Sequence, residues 1–109
     1  MNKKQTAPLT PAVFYILLAL FGQDRHGYDI MRQVSEDSEG TVSMGPGTLY
    51  GSIDRMIDAG LVERSPFKSQ DSRRIYYRLT AKGKKMLQAE IDRISLAAKI
   101  AASRNLKLA

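Results

Sequence analysis

The hydrophobic period of this chain changes twice along its length, and that order restricts the fold more than any other feature. Apolar residues recur at helical spacing from Pro11 to Gly60. They alternate from Arg73 to Leu79, and helical spacing returns from Ala81 to about Ser103. The expected order is therefore helices, then a hairpin, then one long helix.

Local signals place the boundaries. Thr10 suits an N-cap, and Pro11 fits the first helical position, where its missing N–H costs nothing. The first helix runs to about Phe21 and stops at Gly22. Val13, Phe14, Ile16, Leu17, Leu18, Leu20 and Phe21 make it apolar nearly all round. Such a helix is buried on more than one face, so it needs a partner besides its own core. Gln23 to Gly27 reads as a polar turn, with His26 in it. The second helix covers about Tyr28 to Ser38, with Tyr28, Ile30, Met31 and Val34 inward. Thr41 and Val42 give Gly40 to Ser43 the character of a very short strand. The third helix opens at Gly45-Pro46-Gly47 and ends at Gly60. Leu49, Ile53, Met56 and Ile57 form its apolar face. Thr48, Ser52 and Arg55 are expected on the outward face, with Gly51 at its edge.

Beyond Gly60, Leu61 to Lys68 is extended in character, and Pro66 marks an edge strand or bulge. Ser69 to Ser72 forms a turn-rich tip. The returning strand places Ile75, Tyr77 and Leu79 on one face and Arg74, Tyr76 and Arg78 on the other. Thr80 caps the last helix, whose stripe is Leu87, Ile91, Ile94, Ala98 and Ala101, widened by Met86, Leu96 and Ile100. A helix of this length projects roughly 30 Å. A domain that ends near Thr80 cannot cover all of it, so a second copy of the chain is expected to.

The expected class is α+β and mostly helical: a winged helix-turn-helix with a C-terminal dimerisation helix. Residues 1–9, with Lys3 and Lys4, read as a flexible arm, residues 10–80 as the DNA-binding domain and residues 81–109 as the dimerisation helix.

Several function classes are excluded. With no cysteine, there is no disulfide, thiol catalysis or cysteine-ligated zinc. His26 is the single histidine, so no metal site or other cofactor is expected. No nucleophile–base pair stands out, and Gly45-Pro46-Gly47 is a helix start rather than a nucleotide loop. The longest apolar run, Val13 to Phe21, falls short of the ~20 residues of a membrane span. The polar Met1 to Thr10 does not resemble a signal peptide, so a cytoplasmic location is expected.

The formal net charge of +6 suits a phosphate-rich partner, and its placement is more informative than its size. In a winged helix-turn-helix, the later helix of the pair enters the major groove and the wing lies along the backbone or minor groove. Thr48, Ser52 and Arg55 supply donors on the third helix; Arg pairs bidentately with guanine, and Ser and Thr suit phosphates or base edges. Gly47 and Gly51 allow the backbone to approach a phosphate closely. Lys68, Arg73 and Arg74 flank the hairpin tip. Plainer readings stand beside these. Arg55 is equally a solvated cation or a partner of Asp54 or Asp58. Tyr50 either packs half-buried or touches a phosphate. Tyr77 reads as core, Arg73 and Arg74 also protect an edge strand, and His26 reads as a turn residue.

Four blocks then carry a family resemblance: Leu9-Thr10-Pro11-Ala12-Val13-Phe14-Tyr15-Ile16-Leu17, His26-Gly27-Tyr28-Asp29-Ile30, Gly47-Thr48-Leu49-Tyr50, and Arg74-Ile75-Tyr76-Tyr77-Arg78-Leu79-Thr80 with Gly83. In this order they resemble the signature of PadR-type transcriptional regulators, from about residue 9 to residue 100. The resemblance implies a homodimeric winged-helix repressor with helices one and four at the dimer interface. It also implies that Thr48, Tyr50 and their neighbours, together with the wing, face DNA. The single last helix resembles the compact subgroup. Two features depart from the pattern. Gly51 stands where family members often carry proline, and the chain has no tryptophan, which argues against a ligand sandwiched between indoles.

The leading expectation is a sequence-specific repressor binding a pseudo-palindrome in double-stranded DNA. A small apolar or aromatic effector would sit in the dimer interface among Phe14, Tyr15, Leu18, Met86, Leu87, Ile91, Ile94 and Ala98. The alternative is a winged-helix protein-interaction module with no affinity for DNA.

Overall fold

A computed structural model describes residues 9–71 and 73–106. The expected arm, apart from Leu9, therefore lies outside the described residues, as does the tail beyond Leu106. Among the described residues the elements are α1 (Pro11–Leu20), β1 (Arg25–His26), α2 (Gly27–Asp37), α3 (Pro46–Asp58), β2 (Val62–Arg64), β3 (Tyr76–Leu79) and α4 (Ala81–Ser103). The strands form one antiparallel sheet in the order β1-β3-β2. Val62 faces Leu79 and Arg64 faces Tyr77 across the hairpin, while Arg25 faces Tyr77 from the other side.

Side chains close the helix ends. Thr10 Oγ1 accepts from the Val13 N–H at 3.2 Å, and His26 Nδ1 accepts from the Asp29 N–H at 3.4 Å. Thr80 Oγ1 accepts from the Gly83 N–H at 3.0 Å and donates to the Gly60 carbonyl at 2.6 Å. α3 ends in a Schellman turn: Leu61 N–H reaches the Met56 carbonyl and Gly60 N–H the Ile57 carbonyl, each at 2.9 Å. Gly60 takes a φ of +80° there, which favours glycine.

The core draws on every helix. Ile16, Leu17 and Leu20 of α1 meet Ile30 and Val34 of α2, Leu49, Ile53 and Met56 of α3, and Val62, Tyr77 and Leu79 of the hairpin. Arg25 ties α1 to α2: its Nε donates to the Ala19 carbonyl at 2.6 Å and its Nη1 to Asp29 at 2.9 Å.

Five expectations are corrected. Tyr28, expected inward, is 70% exposed at the start of α2. Gln23 to Gly27 is not only a turn, because Arg25 and His26 form a two-residue strand on β3. Gly40 to Ser43 forms no strand. Buried Ser38 instead holds that turn, its Oγ lying 3.0 Å from the Val42 N–H and 3.1 Å from the Val42 carbonyl. The returning strand begins only at Tyr76, so Ile75, expected inward, is exposed. Leu87, expected at a dimer interface, is 1% exposed in the core of its own chain, because the first turns of α4 dock on α1 and β3. From Ile94 onward α4 leaves that core, and Ile94, Leu96 and Ile100 are all exposed. No helix among the described residues is long and apolar enough to cross a membrane.

Candidate nucleic-acid interface

α3 presents its first turn and one flank outward. Gly47 and Thr48 are exposed, and a Cβ on Gly47 would meet nothing within 4 Å. Arg55 is also exposed, and its Nη2 donates to Ser52 Oγ at 3.3 Å. Among the described residues it makes no ion pair with Asp54 or Asp58. Its charge is therefore available to a partner.

Ser52 is corrected. It was expected outward, yet it is 5% exposed, on the buried stripe of Leu49, Ile53 and Met56. Standing three residues after Leu49 and four before Met56, it shares their side of the helix. Its place is to seat Arg55, not to reach a base. Gly51 is half-buried, and a Cβ there would lie 3.6 Å from Arg55 Nη1, an ordinary contact. It leaves the guanidinium room along the helix rather than being sterically demanded.

The wing is a long loop on a short hairpin. Ser65 N–H donates to the Tyr76 carbonyl at 2.8 Å, extending the pairing, and the Ser65 hydroxyl bonds the Asp24 carboxylate. Tyr76 stacks edge-to-face on Phe67 at 4.7 Å and on His26 at 5.3 Å. These contacts fix where the loop leaves the sheet. Lys68, Arg73 and Arg74 are exposed beyond them. Asp71 pairs with Arg73 at 3.1 Å and with Arg74 at 3.8 Å. The hydrogen bonds from the Arg73 side chain and backbone, aided by the Arg74 charge, hold the Asp71 carboxyl below its ordinary range. Surface pairs of this kind are weak, so a phosphate can displace Asp71.

One hollow joins the three elements. The start of α2, Tyr50 of α3, Arg73 and Arg74 of the wing, and Tyr77 of β3 all line it. Burial pushes the Tyr77 phenol up, and the neighbouring Tyr50 adds to the shift. Tyr77 therefore stays a protonated donor. The sequence placed Tyr50, Arg73 and Arg74 on one function but not in one hollow. Tyr77 was expected as core only, and His26 as a turn residue only.

Away from that hollow, on α1, Phe14 and Tyr15 stack edge-to-face at 5.2 Å. They line an open groove with Leu9, Glu90 and Ile94. Met86 lies in an adjoining hollow beside Lys82, Lys85 and Arg93, while Leu18 lines neither. Ile91 is half-buried and Ala98 exposed. Arg93 pairs with the nearly buried Glu90 at 2.7 Å and holds its carboxyl below the ordinary range, with help from the Leu9 N–H.

The fold is similar to that of known proteins. The family model described as the transcriptional regulator PadR-like family matches residues 16–89. A PadR family transcription regulator from Clostridium difficile is similar at 29% identity and a TM-score of 0.69, over 86% of this chain and 97% of that one. A PadR-like transcriptional regulator from Bacillus cereus is similar at 18% identity and a TM-score of 0.71, over 89% and 93%. Wild-type MarR from E. coli shares the fold at 21% identity and a TM-score of 0.71, over 91% of this chain and 67% of that one. No curated protein matches the chain in sequence.

Proposed function

The chain belongs to the PadR-like family of transcriptional regulators, and from that premise we propose that it is a cytoplasmic repressor that binds a pseudo-palindromic operator as a homodimer. The family is one of regulators rather than enzymes. Arg55 carries the reading: it is an exposed guanidinium on the helix that follows α2, with no ion-pair partner among the described residues. It reads guanine in the major groove, while Gly47 and Thr48 bring the first turn of α3 against the backbone. Tyr50, Lys68, Arg73 and Arg74 add phosphate contacts. Selection from a random duplex pool, followed by mobility shift, tests this. A recovered two-fold motif bound by two chains is expected. Absence of enrichment favours the protein-interaction module instead.

The dimer is formed by α1 and α4, through Phe14, Tyr15, Leu18, Met86, Ile91, Ile94 and Ala98, with residues 10–80 as the DNA-binding unit and residues 81–109 as the dimerising one. The exposed Ile94, Leu96 and Ile100 support this, since apolar side chains left in water at the free end of a helix are a cost that a second chain would remove. A second chain closing over Phe14, Tyr15 and Ile94 would enclose their groove, which then accepts a small apolar or aromatic effector. Loss of DNA affinity on adding such a compound is the expected sign.

A further inference from the structure

We propose that the hollow between the start of α2, Tyr50 and the base of the wing seats one backbone phosphate of the bound duplex, with the Tyr50 and Tyr77 hydroxyls and the Arg74 guanidinium as its donors. This rests on the DNA-binding reading above and sharpens it. The recognition helix and the wing would then grip the same phosphate rather than separate ones.

Three observations support the seat. First, Tyr77 is 6% exposed and lines the hollow, yet its hydroxyl has no hydrogen-bond partner among the described residues. A buried hydroxyl left without an acceptor is costly, and an anion in the hollow relieves that cost. Second, the Tyr50 hydroxyl is also without a partner among the described residues, and it lies directly over Gly27: a Cβ there would be 2.1 Å from it. The glycine leaves the space that the phenol needs. Third, Arg73 and Arg74 line the same hollow, and among the described residues their only ion-pair partner is the half-buried Asp71. His26, Gly27 and Tyr28 at the start of α2 line it too, and a helix N-terminus favours the same sign of charge. Asp54, the acid whose charge reaches Tyr77 from α3, is exposed and does not line the hollow.

The test uses the full chain and two duplexes, the one recovered by selection and a scrambled one. Tyr50→Phe and Tyr77→Phe remove only hydroxyls, and Arg74→Gln only a charge, so melting temperatures should stay near that of the wild type. Each Tyr→Phe change should weaken binding about tenfold, as for a lost hydrogen bond to a charged group. The loss should be equal on both duplexes, because phosphates carry no sequence information. The salt slope should not change with either. Arg74→Gln should make it shallower by about one. Tyr50→Phe with Tyr77→Phe should lose less than the product of the two, since they share one acceptor. Wild-type binding by Tyr77→Phe, or a loss confined to the selected duplex, overturns the seat and leaves the DNA-binding reading standing. A wild-type chain that binds neither duplex overturns both.

Discussion

The Tyr50 ring occupies the place where a side chain at Gly27 would stand. A Cβ on Gly27 would lie 2.1 Å from the Tyr50 hydroxyl oxygen and 2.6 Å from its Cζ. Gly27→Ala therefore has to expel the ring. Tyr50 is partly exposed, so the ring swings outward without unfolding α3. The expected outcome is a stability change within about 1 kcal/mol, the mild end of overpacking, with a clear loss of DNA affinity. Thermal denaturation and anisotropy on the same preparation separate the two effects.

Gly83 behaves differently because its neighbour is backbone. A Cβ there would stand 2.1 Å from the Leu61 carbonyl oxygen, which cannot rotate away and already accepts from the Thr80 N–H at 3.0 Å. Gly83→Ala should lift the first turn of α4 off the hairpin and cost at least about 1–3 kcal/mol. A melting temperature lower by several degrees is the expected reading. An unchanged one would mean that α4 docks elsewhere.

Much of this frame was legible in the sequence. Thr10-Pro11, Thr80 and the Schellman glycine Gly60 mark helix ends by local chemistry, so the boundaries of α1, α3 and α4 are seen within a residue or two. What stayed hidden depends on distant parts of the chain. β1 exists only because β3 offers an edge to Arg25 and His26, and a two-residue strand has no period of its own. Ser52 was misplaced because its polarity outweighed its position between Leu49 and Met56. Leu87 was misplaced because a stripe on a long helix does not say where the core stops. The seat around Tyr50 and Tyr77 joins three elements far apart in sequence, and nothing local signals that they meet.

Asp29 predicts a pH dependence. Its partial burial alone would raise its pKa, but hydrogen bonds from Arg32 and Arg25, with their charges, outweigh this and hold it below the ordinary range. A carboxylate lowered on folding stabilises the fold above its unfolded value of about 3.9. That stabilisation is lost as pH falls through the folded value. Asp29→Asn should cost about 1–2 kcal/mol at neutral pH, as for lost charge-assisted hydrogen bonds. It should also flatten the decline in stability below about pH 4. Urea unfolding across that range checks both parts.

Ile94→Glu tests the free end of α4. Ile94 is 43% exposed in the single chain, so its own fold should tolerate the change. If a second chain covers it, the buried carboxylate should shift the population to monomer, seen by sedimentation equilibrium. A wild-type chain that sediments as a monomer at all concentrations would remove α4 as an interface.

The most direct measurement is the affinity for the selected duplex as a function of salt, for the wild type, Arg55→Ala and Arg73→Ala. The expected result is steep salt dependence in the wild type. Arg55→Ala should lose discrimination between selected and scrambled duplex, and Arg73→Ala should shed about one unit of slope while keeping discrimination. Two variants that match the wild type in both slope and discrimination would contradict the assignment of α3 and the wing as the DNA-reading surface.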